Sequence, residues 1–274
     1  MSEPTVCAIM LTRDRPELAR KAVECFRAQT YEKKRLLVWN TGPHGPLLED
    51  PEALDTSSQL HEPWIIGPVE GLTIGELRND AAECAIDSIN PEIFVHWDDD
   101  DHNHPNRIAE QVELLQTSGA DVVGYNDMLF WRDSVPPRLR QEVTKMISQF
   151  PSGAFPLPPH LRLRDGEAWL YTVIPGLVPA LGTSLCYWRK TWEKQKFANA
   201  PGPQGGSEYG AWLKGLNVKT VPSVQDEPRM IARIHAGNAS RHAYNLEHWV
   251  KYQGTPVTWK RVPEWDERVG RILG

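Results

Sequence analysis

The sequence has little of what marks several large classes of protein. Only four cysteines occur in 274 residues, Cys7, Cys25, Cys84 and Cys186, far apart and without C-x-x-C spacing. A disulfide scaffold and a structural zinc site are therefore not expected, and reduced thiols are the default. No apolar run approaches the roughly 18 residues a membrane span needs. Residues 1–12 lack the charged-then-apolar layout of a secretory leader, so a cytoplasmic location is expected. Positive charge is not in excess: 30 Lys and Arg face 36 Asp and Glu, a net charge of −6. That balance argues against a protein held on nucleic acid by a basic surface. No internal repeat suggests a solenoid.

What remains is an ordinary globular composition, 40% hydrophobic and 24% charged, long enough for one large domain or for one domain with a sizeable insertion. The 11 tryptophans leave more aromatic rings than a core needs.

The first 120 residues alternate strand and helix signals. Val6–Leu11 is a short apolar run of the kind found in buried parallel strands. Asp14 can cap a following helix, with Pro16 in its first turn and Leu18, Ala22, Cys25 and Phe26 on one face. Leu36–Trp39 reads as a second strand, broken by Asn40-Thr41-Gly42-Pro43, and Trp64–Ile66 as a third. Thr73 and Glu76 fit a capping box ahead of Ile74, Leu77, Ala81, Cys84 and Ala85. Ile93–Trp97 is a fourth strand, Pro105 opens a helix with Ile108, Val112 and Leu115 on its buried side, and Val122-Val123 starts another strand. Repeated β-α-β units with short connections imply an α/β fold, a mostly parallel sheet with helices on both faces. Residues 132–172, rich in proline, read as an inserted surface segment, with a hairpin over Leu161–Thr172 around Asp165-Gly166. Ser207 caps a further helix carrying Tyr209, Trp212, Leu213 and Leu216.

The strongest chemical signal is the acidic run Asp98-Asp99-Asp100-Asp101, directly after an apolar strand. Ligands of open parallel sheets bind at the carboxyl ends of strands. Four adjacent carboxylates repel one another and their ionised forms want a cation, for which oxygen ligands favour Mg²⁺ or Mn²⁺. The competing reading is a solvated acidic loop.

The order T-x-x-R-P after the first strand, G-L-x-x-G-x-x-R-N before a helix and a strand ending in aspartates resembles family-two inverting glycosyltransferases of the GT-A (Rossmann-like) fold. The resemblance covers residues 5–128 and resumes loosely at Gly182–Arg189 and Ser207–Leu213. It implies a single GT-A domain over 1–274: a nucleotide-sugar-binding half at 1–128, and an acceptor-side half at 129–274 with the insertion and a C-terminal lid.

The resemblance also implies roles. Asp98 and Asp100 match the outer carboxylates of the aspartate motif that binds a divalent metal on the donor diphosphate, with Asp99 assisting. Thr12 and Arg15 match the loop beside the nucleoside, and Arg78 an arginine facing base and diphosphate. The alternative readings are that Arg78 pairs with a helix-surface carboxylate and that Thr12 only ends its strand. Asn40 stands where the family usually has an aspartate for a pyrimidine base, so uridine is only the default. Glu208 occupies the place of the catalytic base, its alternative being a favourable first-turn residue. His235 matches a late-loop histidine that can join the metal, with Gly237-Asn238 as lid hinge, or is simply a solvated loop residue. Arg189 and Arg241 are candidates for added positive charge, and Trp212 is either core or a sugar platform.

The implied activity is metal-dependent transfer of a sugar from a nucleoside-diphosphate donor, UDP-linked by default, to a glycan or other hydroxyl acceptor. A nucleotidyltransferase would share the α/β plan, but Leu11-Thr12-Arg13-Asp14-Arg15 lacks the glycine-rich phosphate loop. A non-catalytic carbohydrate-binding relative is the other alternative. Glycosylation of modified DNA bases is a variant that Arg138, Arg140, Arg162 and Arg164 would have to support against the net acidic charge.

Overall fold

The computed structural model describes residues 3–42, 60–61, 71–132, 165–173, 179–199, 207–235 and 258–274. In chain order the elements are β1 (Val6–Thr12), α1 (Pro16–Arg27), β2 (Lys34–Asn40), β3 (Leu60–His61), α2 (Ile74–Ser88), β4 (Ile93–His96), β5 (His102–Asn103), α3 (Arg107–Ser118), β6 (Val122–Tyr125) and β7 (Asp127–Arg132). There follow β8 (Ala168–Thr172), β9 (Cys186–Trp188), α4 (Arg189–Lys194), α5 (Ser207–Trp212), β10 (Val218–Val221), β11 (Met230–Ile234), β12 (Thr258–Arg261) and α6 (Asp266–Leu273).

Seven strands form the main sheet in the order β10-β6-β9-β4-β1-β2-β3. It is mostly parallel, as expected, with β9 alone running antiparallel between β4 and β6. The continuous apolar run of β1 is explained by burial on both sides: Val6 to Met10 are all at most 2% exposed. On one face α1 and α3 cover the sheet through Ala19, Ala22, Phe26, Ile108, Val112 and Leu115. On the other, Ala81, Ala82 and Ala85 of α2 pack with Trp192 and Trp212. Trp212 is thus a core residue, and with Trp97 and Trp192 it absorbs rings that the composition left to spare.

The capping box at Thr73 is present: its hydroxyl accepts from the Glu76 N–H at 3.2 Å, and Glu76 Oε2 accepts from the Thr73 N–H at 2.8 Å. Other local expectations need correction. Asp14 does not cap α1; it lies at φ +48° and its N–H donates to Asn40 Oδ1, so Arg15 becomes the residue before the helix, and Pro16 starts it. The buried stripe of α1 includes Ala19 and Val23, with Leu18 half-buried. Helix α3 begins at Arg107, two residues after Pro105, and ends at Gly119, whose φ of +66° suits a residue without Cβ.

A second, five-stranded sheet, order β12-β8-β7-β11-β5, was not legible in the sequence. The end of the expected insertion, Ala168–Thr172, is an interior strand of this sheet and pairs antiparallel with β7. β7 in turn pairs in parallel with β11. Trp64–Ile66, most of 132–172, Gly237-Asn238 and Arg241 lie outside the described residues, as do Arg138, Arg140, Arg162 and Arg164. No helix among the described residues is long and apolar enough to cross a membrane.

Candidate active site

Strand β4 is central in the main sheet, and the chain leaves its carboxyl end through Trp97 into the four aspartates. Trp97 is fully buried; its Nε1–H donates to the Ala22 carbonyl at 3.1 Å, and its ring meets Phe26 edge-on at 5.7 Å. This anchor fixes where the acidic run begins. Truncating so large a buried ring costs about 3–5 kcal/mol in comparable cores.

The four carboxylates diverge. Asp98 is one-third exposed and lies 3.6 Å from Arg78 Nη2. Asp99 points inward, its side chain wholly covered, and accepts from the Thr12 hydroxyl at 2.6 Å and from Arg15 Nη2 at 2.5 Å. Asp100 accepts from Arg15 Nη1 at 3.2 Å and lies 3.2 Å from His235 Nε2. Asp101 accepts from the Thr183 hydroxyl at 2.6 Å. Asp98, Asp100 and Asp101 each present an oxygen within 4.8 Å of the others, a carboxylate group able to hold a metal ion.

Electrostatics follow from this packing. Burial pushes Asp99 up to about 6, reinforced by the neighbouring charges of Asp100 and Asp98 and opposed by Arg15 and Thr12. Burial and the same kind of crowding raise Asp101 well above the usual carboxylate range. Burial also disfavours ionised Asp100, yet the hydrogen bond from His235 and the charges of Arg15 and His235 outweigh it and hold this carboxyl low. Crowded, partly desolvated acids of this kind are stabilised by a cation, and an all-oxygen set suits Mg²⁺ or Mn²⁺.

Several residues singled out in the sequence meet here: Thr12, Arg15, Arg78, Asp98, Asp99, Asp100 and His235. Their tasks differ from a simple row of ligands. Thr12 and Arg15 grip Asp99 and Asp100 from the end of β1. Asn40, 6% exposed, accepts on Oδ1 from the N–H groups of Asp14 (3.2 Å) and Gly42 (3.0 Å) and so shapes the loops after β1 and β2. Arg78 is 7% exposed on α2 and faces Asp98, not a helix-surface acid.

Glu208 lies in the first turn of α5, where a helix start was expected; its side chain is outside the described residues. The start of α5 is tied to the site through Gly182, where a Cβ would sit 2.2 Å from the Tyr209 ring. Only glycine admits that close approach, and residue 183 then reaches Asp101. Arg189 does not join the site. It follows β9, whose Trp188 pairs with Ile93 at the far end of β4, and it bonds to Glu193 (2.7 Å) and Asn90 (2.6 Å). The neighbouring histidines turn to different partners: His102 Nδ1 faces Cys25 Sγ at 3.6 Å and His104 Nε2 faces Glu227 at 2.8 Å.

Sequence reading missed His96, Arg107 and Thr183, and it held Asp101 only as a member of the acidic run. His96 is buried, which together with Arg78 lowers its pKa well below the ordinary value and keeps it neutral. Its Nδ1 must then carry the proton, because the partner at 2.6 Å is the Gly182 carbonyl, which only accepts. No signal short of the folded structure links these residues.

By sequence, no protein-family model and no curated protein matches the chain. By structure it is similar to S. aureus TarS 1-349 in complex with UDP-GlcNAc, at 14% identity and a TM-score of 0.52, over 88% of this chain and 62% of that one. It is also similar to the mannosyltransferase PcManGT from Pyrobaculum calidifontis in complex with GDP-Man and Mn²⁺, at 16% identity and a TM-score of 0.51, over 98% of this chain and 69% of that one. The chain thus spans about three-fifths of TarS 1-349. The α/β fold is the GT-A type found in glycosyltransferases. At these identities the likeness establishes the fold, and the chemistry has to be argued from the acidic cluster.

Proposed function

We propose that the protein is a metal-dependent glycosyltransferase that moves a sugar from a nucleoside-diphosphate-sugar to an acceptor hydroxyl with inversion. The observation that carries this reading is the group Asp98, Asp100 and Asp101, with His235 at Asp100, at the carboxyl end of the central strand. Crevices at such strand ends are where open α/β sheets hold nucleotides, and the two similar structures were solved with nucleotide-sugars. Those three carboxylates would hold the divalent cation, with His235 as a further candidate ligand. When bound, such an ion neutralises the departing diphosphate as a Lewis acid.

The remaining work belongs to the chain's own residues. Arg78 supplies fixed positive charge beside Asp98 for the donor phosphates. Arg15 and Thr12 hold the acidic loop rigid, so that little reorganisation accompanies donor binding. Glu208, at the helix start tied to Gly182 through Tyr209, takes the proton of the acceptor hydroxyl as the new bond forms at the anomeric carbon. Residues 1–128 form the donor side and 129–274 the acceptor side of one GT-A domain working in the cytoplasm.

Asn40 Oδ1 accepts from two loop N–H groups, and an amide stands where the resemblance leads one to expect a base-reading carboxylate. Both UDP- and GDP-linked sugars are therefore the donors to test. A thermal-shift screen of UDP-GlcNAc, UDP-glucose and GDP-mannose, with and without Mn²⁺, should show one donor raising the melting temperature only with the ion. Chromatography should then show release of its nucleoside diphosphate. No shift with any donor in Mn²⁺ overturns the reading, and binding without release favours a non-catalytic carbohydrate-binding protein.

A further inference from the structure

Beneath the acidic run lies a buried polar network around Arg107, which is 0% exposed on the first turn of α3. Its Nη1 donates to Asn103 Oδ1 at 2.5 Å and its Nε to Gln111 Oε1 at 3.2 Å. Its Nη2 donates to two backbone carbonyls, His96 at 2.8 Å and Thr183 at 3.1 Å. One guanidinium thus joins the last residue of β4 to the turn Gly182–Ser184. Gln111 secures the same turn by donating to the Ser184 carbonyl at 2.7 Å, and neutral His96 by donating to Gly182.

The turn held in this way carries the hydroxyl that bonds Asp101. Arg107 makes no hydrogen bond to Asp101; its charge favours the ionised form at a distance, while its N–H groups fix the backbone of the residue that does bond it. A fully buried arginine is costly to desolvate and persists only where its donors are met and its charge is opposed. Here four acceptors meet it, and Asp101 is the buried acid beside it.

We propose that Thr183 is a positioning residue for the metal-binding carboxylates, its hydroxyl orienting Asp101 within the group it forms with Asp98 and Asp100, and that Arg107 sets Thr183. This inference rests on the metal-dependent reading above. Without the hydroxyl, Asp101 is free to rotate within its pocket, and the separation of ligand oxygens that suits an ion is lost. Outer-sphere partners of metal ligands commonly change metal affinity by about 10–100-fold when removed.

The test is Mn²⁺ titration of the full chain, alone and with UDP or GDP against protein-free blanks, read by the electron paramagnetic resonance of the free and bound ion. Thr183→Val keeps the side-chain shape and removes the hydroxyl; Thr183→Ser keeps the hydroxyl. Thr183→Val is expected to weaken Mn²⁺ at least about 10-fold and alter the bound-ion spectrum, with Thr183→Ser within about threefold of wild type. Arg107→Lys, which keeps the charge but cannot reach both carbonyls, should weaken Mn²⁺ in the same direction where circular dichroism shows it folded. Wild-type affinity in Thr183→Val, or equal weakening in Thr183→Ser, overturns the positioning role. Absence of Mn²⁺ binding by the wild-type protein under every condition instead overturns the metal-dependent reading itself.

Discussion

The Thr12 hydroxyl and the Asp99 carboxylate, 87 residues apart in the chain, share a hydrogen bond of 2.6 Å beneath the acidic cluster. Asp99 is therefore the inward member of the tetrad, the one that fastens the loop to the end of β1, while Asp98, Asp100 and Asp101 present their oxygens together. Thr12→Val removes the donor and leaves a buried carboxylate oxygen with one bond fewer. A stability loss of about 1–3 kcal/mol in urea unfolding is expected, with Thr12→Ser close to wild type. An unchanged midpoint in Thr12→Val would show that the bond contributes nothing.

Asp100 is the carboxylate held low by His235 and Arg15 despite its burial. Asp100→Ala should leave the far-ultraviolet circular dichroism spectrum unchanged, abolish the Mn²⁺-dependent thermal shift and reduce transfer nearly to background. Substantial turnover of this variant at saturating donor would remove Asp100 from the metal site.

Glu208 has the same shape and hydrogen-bonding reach as glutamine but can accept a proton. Glu208→Gln should bind the donor with wild-type affinity by calorimetry and lose transfer by about 100-fold or more. A variant that loses donor binding and turnover together would place Glu208 on the donor side instead.

Asp127, at the start of β7, is raised by burial, and the N–H groups of Val224 and Ser223 that donate to its Oδ1 at 3.0 and 2.7 Å offset this only in part. The folded protein therefore keeps this proton to higher pH than the unfolded chain. Stability contributed at low pH is lost as pH rises through the ordinary carboxylate range to the raised value. Asp127→Asn keeps the acceptor oxygen and removes the titration. Relative to wild type, its stability should improve between pH 4 and pH 7; a relative decline over that interval would reverse the sign assigned to Asp127.

Much of the main sheet was readable because its signals are local. The apolar run of β1, the Thr73–Glu76 box and the Ile108, Val112, Leu115 stripe each lie within a few residues of one another, and each formed as expected. The cap of α1 was not, because Asp14 and Arg15 are claimed by distant partners, Asn40 and the acidic run. The second sheet escaped notice because β5 has two residues and β7 pairs with β11 about a hundred residues later.

The site divides in the same way. Sequence by itself determined that four acids follow a buried strand, since adjacency in the chain fixes that fact, while the place of Arg15 and Arg78 beside them was only what the resemblance implied. Only tertiary structure decided that Asp99 turns inward, that Asp101 joins Asp98 and Asp100, and that Thr183, His96 and Arg107 support them. The reason is physical: a side chain's direction at the end of a strand is set by which donors crowd it. Here the donors to Asp99, Asp100 and Asp101 come from residues 82 to 135 positions away, brought near only when both faces of the sheet are covered.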